Sequence, residues 1–263
     1  MSAPLDPWII APLAGSAALY AIGVRRLWRR AGTGRGIARR EAACFTAGWC
    51  ILALALLSPI DHLGEHLLSM HMVQHELLMV VAAPLLVLSR PLEAFAWGLP
   101  AGWREPMAAG LRWRPIAAAW RAVTTTSGAF VFQAAGVWLW HVPVAFQASL
   151  ANDAVHSLQH ATFLGSALAF WWTVLAPRAA SGAGLASTFG TMLHTGMLGA
   201  LLTFAPYPLY PAYPGYLGLT PLEDQQLAGL VMWVPGGVAY LVACLALASA
   251  WLAEPRIASR PAR

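Results

Sequence analysis

The sequence predicts an all-α polytopic membrane protein, a seven-transmembrane-helix bundle with its N-terminus outside and its C-terminus cytoplasmic. Three observations carry this expectation. Hydrophobic residues make up 59% of the 263 and charged residues only 10%, more apolar surface than a soluble domain of this size can bury. Apolar runs recur at the length of roughly 20 residues that a hydrocarbon core of ~30 Å requires. All sixteen basic residues are arginine, and they fall in alternate connections between the runs, the asymmetry that marks cytoplasmic loops.

The runs lie near 8–27, 42–58, 67–88, 124–142, 154–175, 185–204 and 225–252, each bounded by Pro, Gly, Arg or acidic residues. Together with short loops they use up the chain, so a single membrane domain over 1–263 is expected. Met1 to Pro7 lacks the basic region and cleavage site of a signal peptide, and the first run reads as a retained anchor. Arg25 to Arg40 then supplies seven arginines on the inner side. The second run leads to an outer loop with Asp61, His62, Glu65 and His66. Pro84 falls late in the third run, where a bend is expected. Ser89 to Arg121 interleaves five arginines with Trp97, Trp103, Trp113 and Trp120, a pattern suited to lying in the inner interface. The fourth run ends outside at Trp138-Leu-Trp140-His141-Val-Pro143, and the fifth begins there after Asp153 and leads to Arg178 inside. The seventh opens at Asp224-Gln225-Gln226, is expected to bend at Pro235-Gly236-Gly237, and ends at Arg256, Arg260 and Arg263. Asp6, Asp61, Glu65, Asp153, Glu223 and Asp224 all fall on the arginine-free outer side. Guanidinium groups suit lipid phosphates, so the expected partners are membrane lipids and not nucleic acid. Cys44, Cys50 and Cys244 lie inside apolar runs without a paired spacing and read as small buried hydrophobes.

The histidines carry the chemistry. Seven of the eight gather at the outer face: His62, His66, His71, His75, His141, His156 and His160. His71 and His75 are four apart, as are His156 and His160, which places each pair on one helix face with Cβ atoms about 6 Å apart. Both pairs sit in the same H-x-x-Q-H pattern, on helices that both run outside to inside. Ionisable side chains at that depth line a bundle interior or a cavity, and neutral imidazole suits Cu, Zn, Fe or Ni. The expected metal ligands are therefore His71, His75, His156 and His160, joined by His141 and by His194, which lies near the midplane of the sixth run beside Met192 and Met197. Gln74 and Gln159 are expected to orient the rings. His62 and His66 are expected to form an entrance for the metal, and Asp224 either caps the seventh helix or neighbours the metal.

The stretch Met70-His71-Met-Val-Gln-His75-Glu-Leu-Leu-Met, followed by Ala83-Pro84-Leu-Leu-Val-Leu and Pro91, resembles the signature of the CtaG family of cytochrome c oxidase assembly proteins, associated with bacterial caa-type oxidases. Later pieces agree in order: Trp140-His141, His156-Ser-Leu-Gln-His160 with Phe163 and Phe170-Trp171-Trp172, His194 with Gly196, and Asp224-Gln225-Gln226-Leu-Ala-Gly229 through Trp233. The resemblance spans roughly residues 60 to 250. It departs at Ser89-Arg90-Pro91, where the family pattern has glycine before the proline. It implies a multi-pass factor of the bacterial inner membrane that matures a haem–copper oxidase by handling copper. The implied partners are an oxidase subunit and a periplasmic copper donor.

Three other readings are consistent with histidines in a membrane bundle. A seven-helix zinc hydrolase would use Asp224 or Glu76 as base, although H-E-x-x-H is missing because Gln74 precedes His75. A b-type cytochrome would leave two of the four paired histidines unexplained. A purely structural membrane partner would bind no metal.

Overall fold

The computed structural model describes residues 7–175 and 182–253. Asp6, Arg178 and the arginines of the tail lie outside the described residues. Helices appear at all seven apolar stretches: α1 (Pro7–Ala31), α2 (Arg39–Leu57), the short α3 (Pro59–Gly64), then α4 (Leu68–Glu76), a π-helical segment (Leu77–Ala82) and α5 (Ala83–Leu88) in one continuous run. There follow α6 (Pro91–Gly98), α7 (Ala101–Arg112), α8 (Arg114–Val123), α9 (Thr126–His141), α10 (Pro143–Ala151), α11 (Asp153–Val174), α12 (Gly182–Phe204) and α13 (Pro221–Ala253). The described residues contain no β-strand, only an isolated bridge between Tyr216 and Leu219.

Five of these runs are long and apolar enough to cross a bilayer: α1, α2, Leu68–Leu88, α12 and α13. A sixth is the pair α9 and α10, bent by 75° after His141, where Pro143 starts a new helix. The 22-residue α11 spans about 33 Å but carries Asp153, His156, Gln159 and His160, and it falls below the hydropathy of the other five. The helix that carries His156 and His160 is thus too polar to stand out as a span.

The connection after α2 is itself helical. Ser58 caps α3 by accepting from the Ile60 N–H at 3.1 Å, and Pro59 occupies the first turn. The bend expected at Pro84 takes a specific form. The π segment ends with the Ala83 N–H bonded to the Leu78 carbonyl, five residues back. The next bond in that register would come from residue 84, but Pro84 has no N–H. The Trp171 indole donates to the orphaned Met79 carbonyl instead, at 2.8 Å. Below the π segment the run packs on α2, where a Cβ at Gly48 would touch Ala82, Leu85 and Leu86 at 3.0–3.2 Å.

The other sequence features take the following forms, and Cys50 departs from expectation. α13 is one unbroken helix with Pro235 inside it, so Pro235-Gly236-Gly237 does not interrupt it. Cys50 is exposed on α2. Within Ser89 to Arg121, α7 and α8 bury no residue, and Trp103, Trp113 and Trp120 are exposed. α6 behaves differently: Ala94 and Gly98 are buried against α1, the backbones meet at Gly23 and Gly98, and Arg26 donates to the Trp97, Gly98 and Leu99 carbonyls at 2.8–3.0 Å. A cation on the open carbonyls of a helix C-terminus is favoured by the macrodipole.

Arg90, just before Pro91, is left-handed with φ 53° and ψ 53°. A side chain there costs about 1–2 kcal/mol. Its guanidinium bonds Glu93 at 2.6 Å and lies 3.7 Å from Glu41, contacts that tie the first turns of α2 and α6 together.

Candidate metal centre

α4 brings His71 and His75 to the site, and its start is held in an unusual way. Leu67 stands at the N-cap position without a capping side chain. The carboxylate of Asp224, from the first turn of α13, accepts instead from the Leu68 N–H at 2.6 Å, the Ser69 N–H at 3.0 Å and the Ser69 hydroxyl at 2.6 Å. Asp224 therefore caps α4 from another helix. A carboxylate on free amides at a helix N-terminus satisfies donors that have no intrahelical acceptor. α11 starts conventionally, with Asn152 Oδ1 accepting from Ala154 and Val155 at 2.9 and 3.1 Å, and it carries His156 and His160. His141 is the last residue of α9, and its Nδ1 pairs with the Val137 carbonyl at 2.7 Å.

Five imidazoles converge from these three helices. Ring centroids are 4.3 Å apart for His71 and His75, 5.4 Å for His71 and His156, 6.0 Å for His71 and His160, and 4.3 Å for His156 and His160. His75 lies 5.4 Å from His160 and 6.4 Å from His141. One ring nitrogen each from His71, His156 and His160 can be chosen so that all three lie within 4.8 Å of one another. Bonds of ~2.0–2.1 Å to an ion bring such nitrogens to about 3.4 Å, so rotation of the rings closes the site. The cluster is shielded: His71, His75, His141 and His160 are buried and His156 half-buried. His71 Nε2, both nitrogens of His75, and Nε2 of His141, His156 and His160 have no hydrogen-bond partner among the described residues. Burying an unpaired polar atom costs on the order of 1–3 kcal/mol, so six in one place require an explanation.

Aromatic rings enclose the cluster. Phe146 of α10 lies 5.1 Å from His71 and 4.4 Å from Tyr210, and Phe163 lies 4.5 Å from His75. The loop between α12 and α13 is pinned over this side: the Tyr210 hydroxyl donates to the His141 carbonyl at 2.8 Å and the Tyr213 hydroxyl to the Gly64 carbonyl at 3.0 Å. Burial pushes both phenols above their ordinary range, which keeps them protonated as donors. Neither tyrosine nor Phe146 stood out in the sequence, and Phe163 entered only through the resemblance. The repeated Tyr-Pro spacing of the loop was the available signal.

The other candidates are placed as follows. Gln74 points away from the imidazoles, donating to the Ala55 carbonyl at 2.9 Å and to Asp61 at 2.7 Å. It ties α4 to α2 and α3. Burial pushes the Asp61 carboxyl above its ordinary value, and the N–H from Gln74 partly offsets this. Gln159 is fully buried beside His160 on α11. Exposed His62 and Glu65 and half-buried His66 form a second cluster, also with ligand atoms within 4.8 Å; His62 Nδ1 is 3.3 Å from Glu65 Oε2. His194 stands apart from the five, against Phe130 with ring centroids 5.6 Å apart, and Met197 beside it is exposed.

The geometry can bind a late first-row metal by nitrogen, with a shielded interior and an exposed cluster on the outside. No curated protein and no solved structure matches the chain. The family described as cytochrome c oxidase caa3 assembly factor matches residues 18–254, a range that contains every helix of the histidine cluster, and the chain therefore belongs to that family of oxidase assembly factors.

Proposed function

We propose that this assembly factor handles copper as cargo for a haem–copper oxidase. The ion is taken up on the outer side, held at the histidine cluster by His71, His156 and His160 with His75 and His141 directly alongside, and passed to an oxidase subunit within the membrane. The observation that supports this reading best is the convergence of five shielded imidazoles whose free ring nitrogens have no partner among the described residues. A cluster of neutral imidazoles suits copper or zinc, and the family's association with an oxidase favours copper. His62, Glu65 and His66, the first two exposed, then capture the ion before it reaches the buried rings. Asp224 acts through the main chain of α4, fixing where His71 and His75 sit.

The test is elemental analysis of the purified full chain beside His71→Ala/His160→Ala. Wild type is expected to retain copper and the double variant to hold clearly less of it. Equal copper in both would remove the buried cluster from the reading, and stoichiometric zinc in wild type would replace copper by a zinc-dependent function.

The same proposal takes all seven helical stretches as spans in a bacterial inner membrane, with α11 crossing inside the bundle where its polar face is covered. The N-terminus is then outside and the C-terminus cytoplasmic, in keeping with the arginine asymmetry. A fluorescent protein fused to the C-terminus is expected to be bright, and alkaline phosphatase fused after Gly64 to be active. A dark C-terminal fusion with active phosphatase at the same end would reverse the orientation.

A further inference from the structure

Directly alongside the histidine cluster is a small cavity of about 20 Å³, room for roughly one water-sized body. Its wall includes His75, His141, Glu76 and three methionines, Met72, Met79 and Met232. Met72, His75, Glu76 and Met79 follow the i, i+3, i+4, i+7 pattern that marks one helix face. The donors are set for a ligand. His141 Nδ1 faces the Val137 carbonyl at 2.7 Å; a carbonyl only accepts, so Nδ1 carries the proton and Nε2 presents its lone pair. That Nε2 and both nitrogens of His75 have no hydrogen-bond partner among the described residues. Glu76 Oε2 is shielded and likewise unpartnered. It lies against α13 at Gly236, where an added Cβ would come within 2.8 Å of it, so the glycine leaves room for the carboxylate. The π segment begins at the next residue, and such segments occur frequently at functional sites.

We propose that this cavity is a second metal site, distinct from the His71, His156 and His160 group and softer in character. It binds Cu(I) through His75, His141 and methionine sulfur, with Glu76 balancing the charge. Thioether with imidazole selects Cu(I) over harder divalent ions. A monovalent cation beside one carboxylate is neutral overall, which matters inside a bundle where an unbalanced charge is expensive. His75 is one turn from His71, about 6 Å along the helix, so an ion moves between the two sites by exchanging imidazole ligands, with no change of oxidation state. The inference rests on the copper reading above and divides its single cluster into an outer and an inner station.

The experiment is anaerobic titration of the purified full chain with Cu(I) against a chromogenic Cu(I) chelator. Three proteins are compared: wild type, Met72→Leu/Met232→Leu and His71→Ala/His160→Ala. Met to Leu conserves volume and core packing, and an unchanged thermal midpoint certifies the fold. Wild type is expected to take two equivalents. The methionine variant should lose one or bind it at least tenfold more weakly, while the histidine variant keeps that inner equivalent and loses the other. A wild type with one equivalent, unaffected by the methionine changes but absent from the histidine variant, overturns the inner site and leaves the outer cluster standing. Loss in the methionine variant alone keeps the inner site and overturns the outer one. Glu76→Gln is expected to weaken only the inner equivalent, about tenfold; an unchanged affinity removes the carboxylate from the site.

Discussion

Replacing Asp224 by alanine is expected to destabilise the protein more than removing any single histidine. The carboxylate is completely buried and accepts three hydrogen bonds from the first residues of α4. Bonds to a charged acceptor contribute about 1.5–3 kcal/mol each, and alanine leaves two main-chain amides and a hydroxyl without an acceptor. The expected loss is on the order of 3–6 kcal/mol, a drop of roughly 10 °C in the unfolding midpoint for a chain of this length. Copper content should fall with it, because the start of α4 frays and His71 is within its first turn. Asp224→Asn is expected to be intermediate, since the amide keeps one acceptor oxygen and turns a donor toward another donor. The measurements are a thermal scan in detergent and metal analysis on the same preparations. A midpoint within 2 °C of wild type for the alanine variant would show that this cap from α13 contributes nothing.

The second large effect is expected at Gly199. α12 and α13 approach so closely there that a Cβ on Gly199 would stand 2.7 Å from the Gly229 carbonyl oxygen and 2.9 Å from the Trp233 nitrogen. Both are main-chain atoms, which cannot rotate away as a side chain can. Small residues that let backbones touch are a principal source of helix association in lipid, where apolar side chains gain little by leaving the solvent. Gly199→Leu should therefore separate the two helices and remove the monodisperse peak in fluorescence-detected size-exclusion chromatography. Gly165→Ala is the matched control: nothing lies within 4 Å of a Cβ there, and alanine in a helix interior is favoured by up to about 1 kcal/mol over glycine. A normal peak for Gly199→Leu would mean that the helices tolerate a wider spacing.

How far the sequence announces this structure depends on the length scale. Lipid forces long apolar runs, so the seven helical stretches were legible, and only α11 conceals its character because it carries Asp153, His156, Gln159 and His160. Short helices packed at the ends of spans, α3 and α10, have no apolar period to betray them and read as loops. The i, i+4 histidine pairs identified the right face of two helices. They could not show that His75 turns toward Phe163, 4.5 Å away, while His71 turns toward His156. Asp224 is a sharper case. Its partner Leu68 is 156 residues away, and no local pattern distinguishes a residue that caps its own helix from one that caps another. Gln74 reads as a ring-orienting amide from its place in H-x-x-Q-H, but the proximity of Asp61 and the Ala55 carbonyl claims its donors. Arg90 is a further case: nothing in Ser89-Arg90-Pro91 announces the left-handed backbone that the structure gives it.

The π segment between α4 and α5 has a consequence for phase. Each turn that closes five residues back instead of four accommodates one extra residue, equivalent to a rotation of about 100° between the halves it joins. The half above it is oriented by Asp224 and faces α11. The half below is oriented by the meeting of Leu85 and Leu86 with Gly48. The two halves need not share one continuous helical stripe, and the angular setting of the imidazoles is adjustable independently of how the half after the π segment seats on α2.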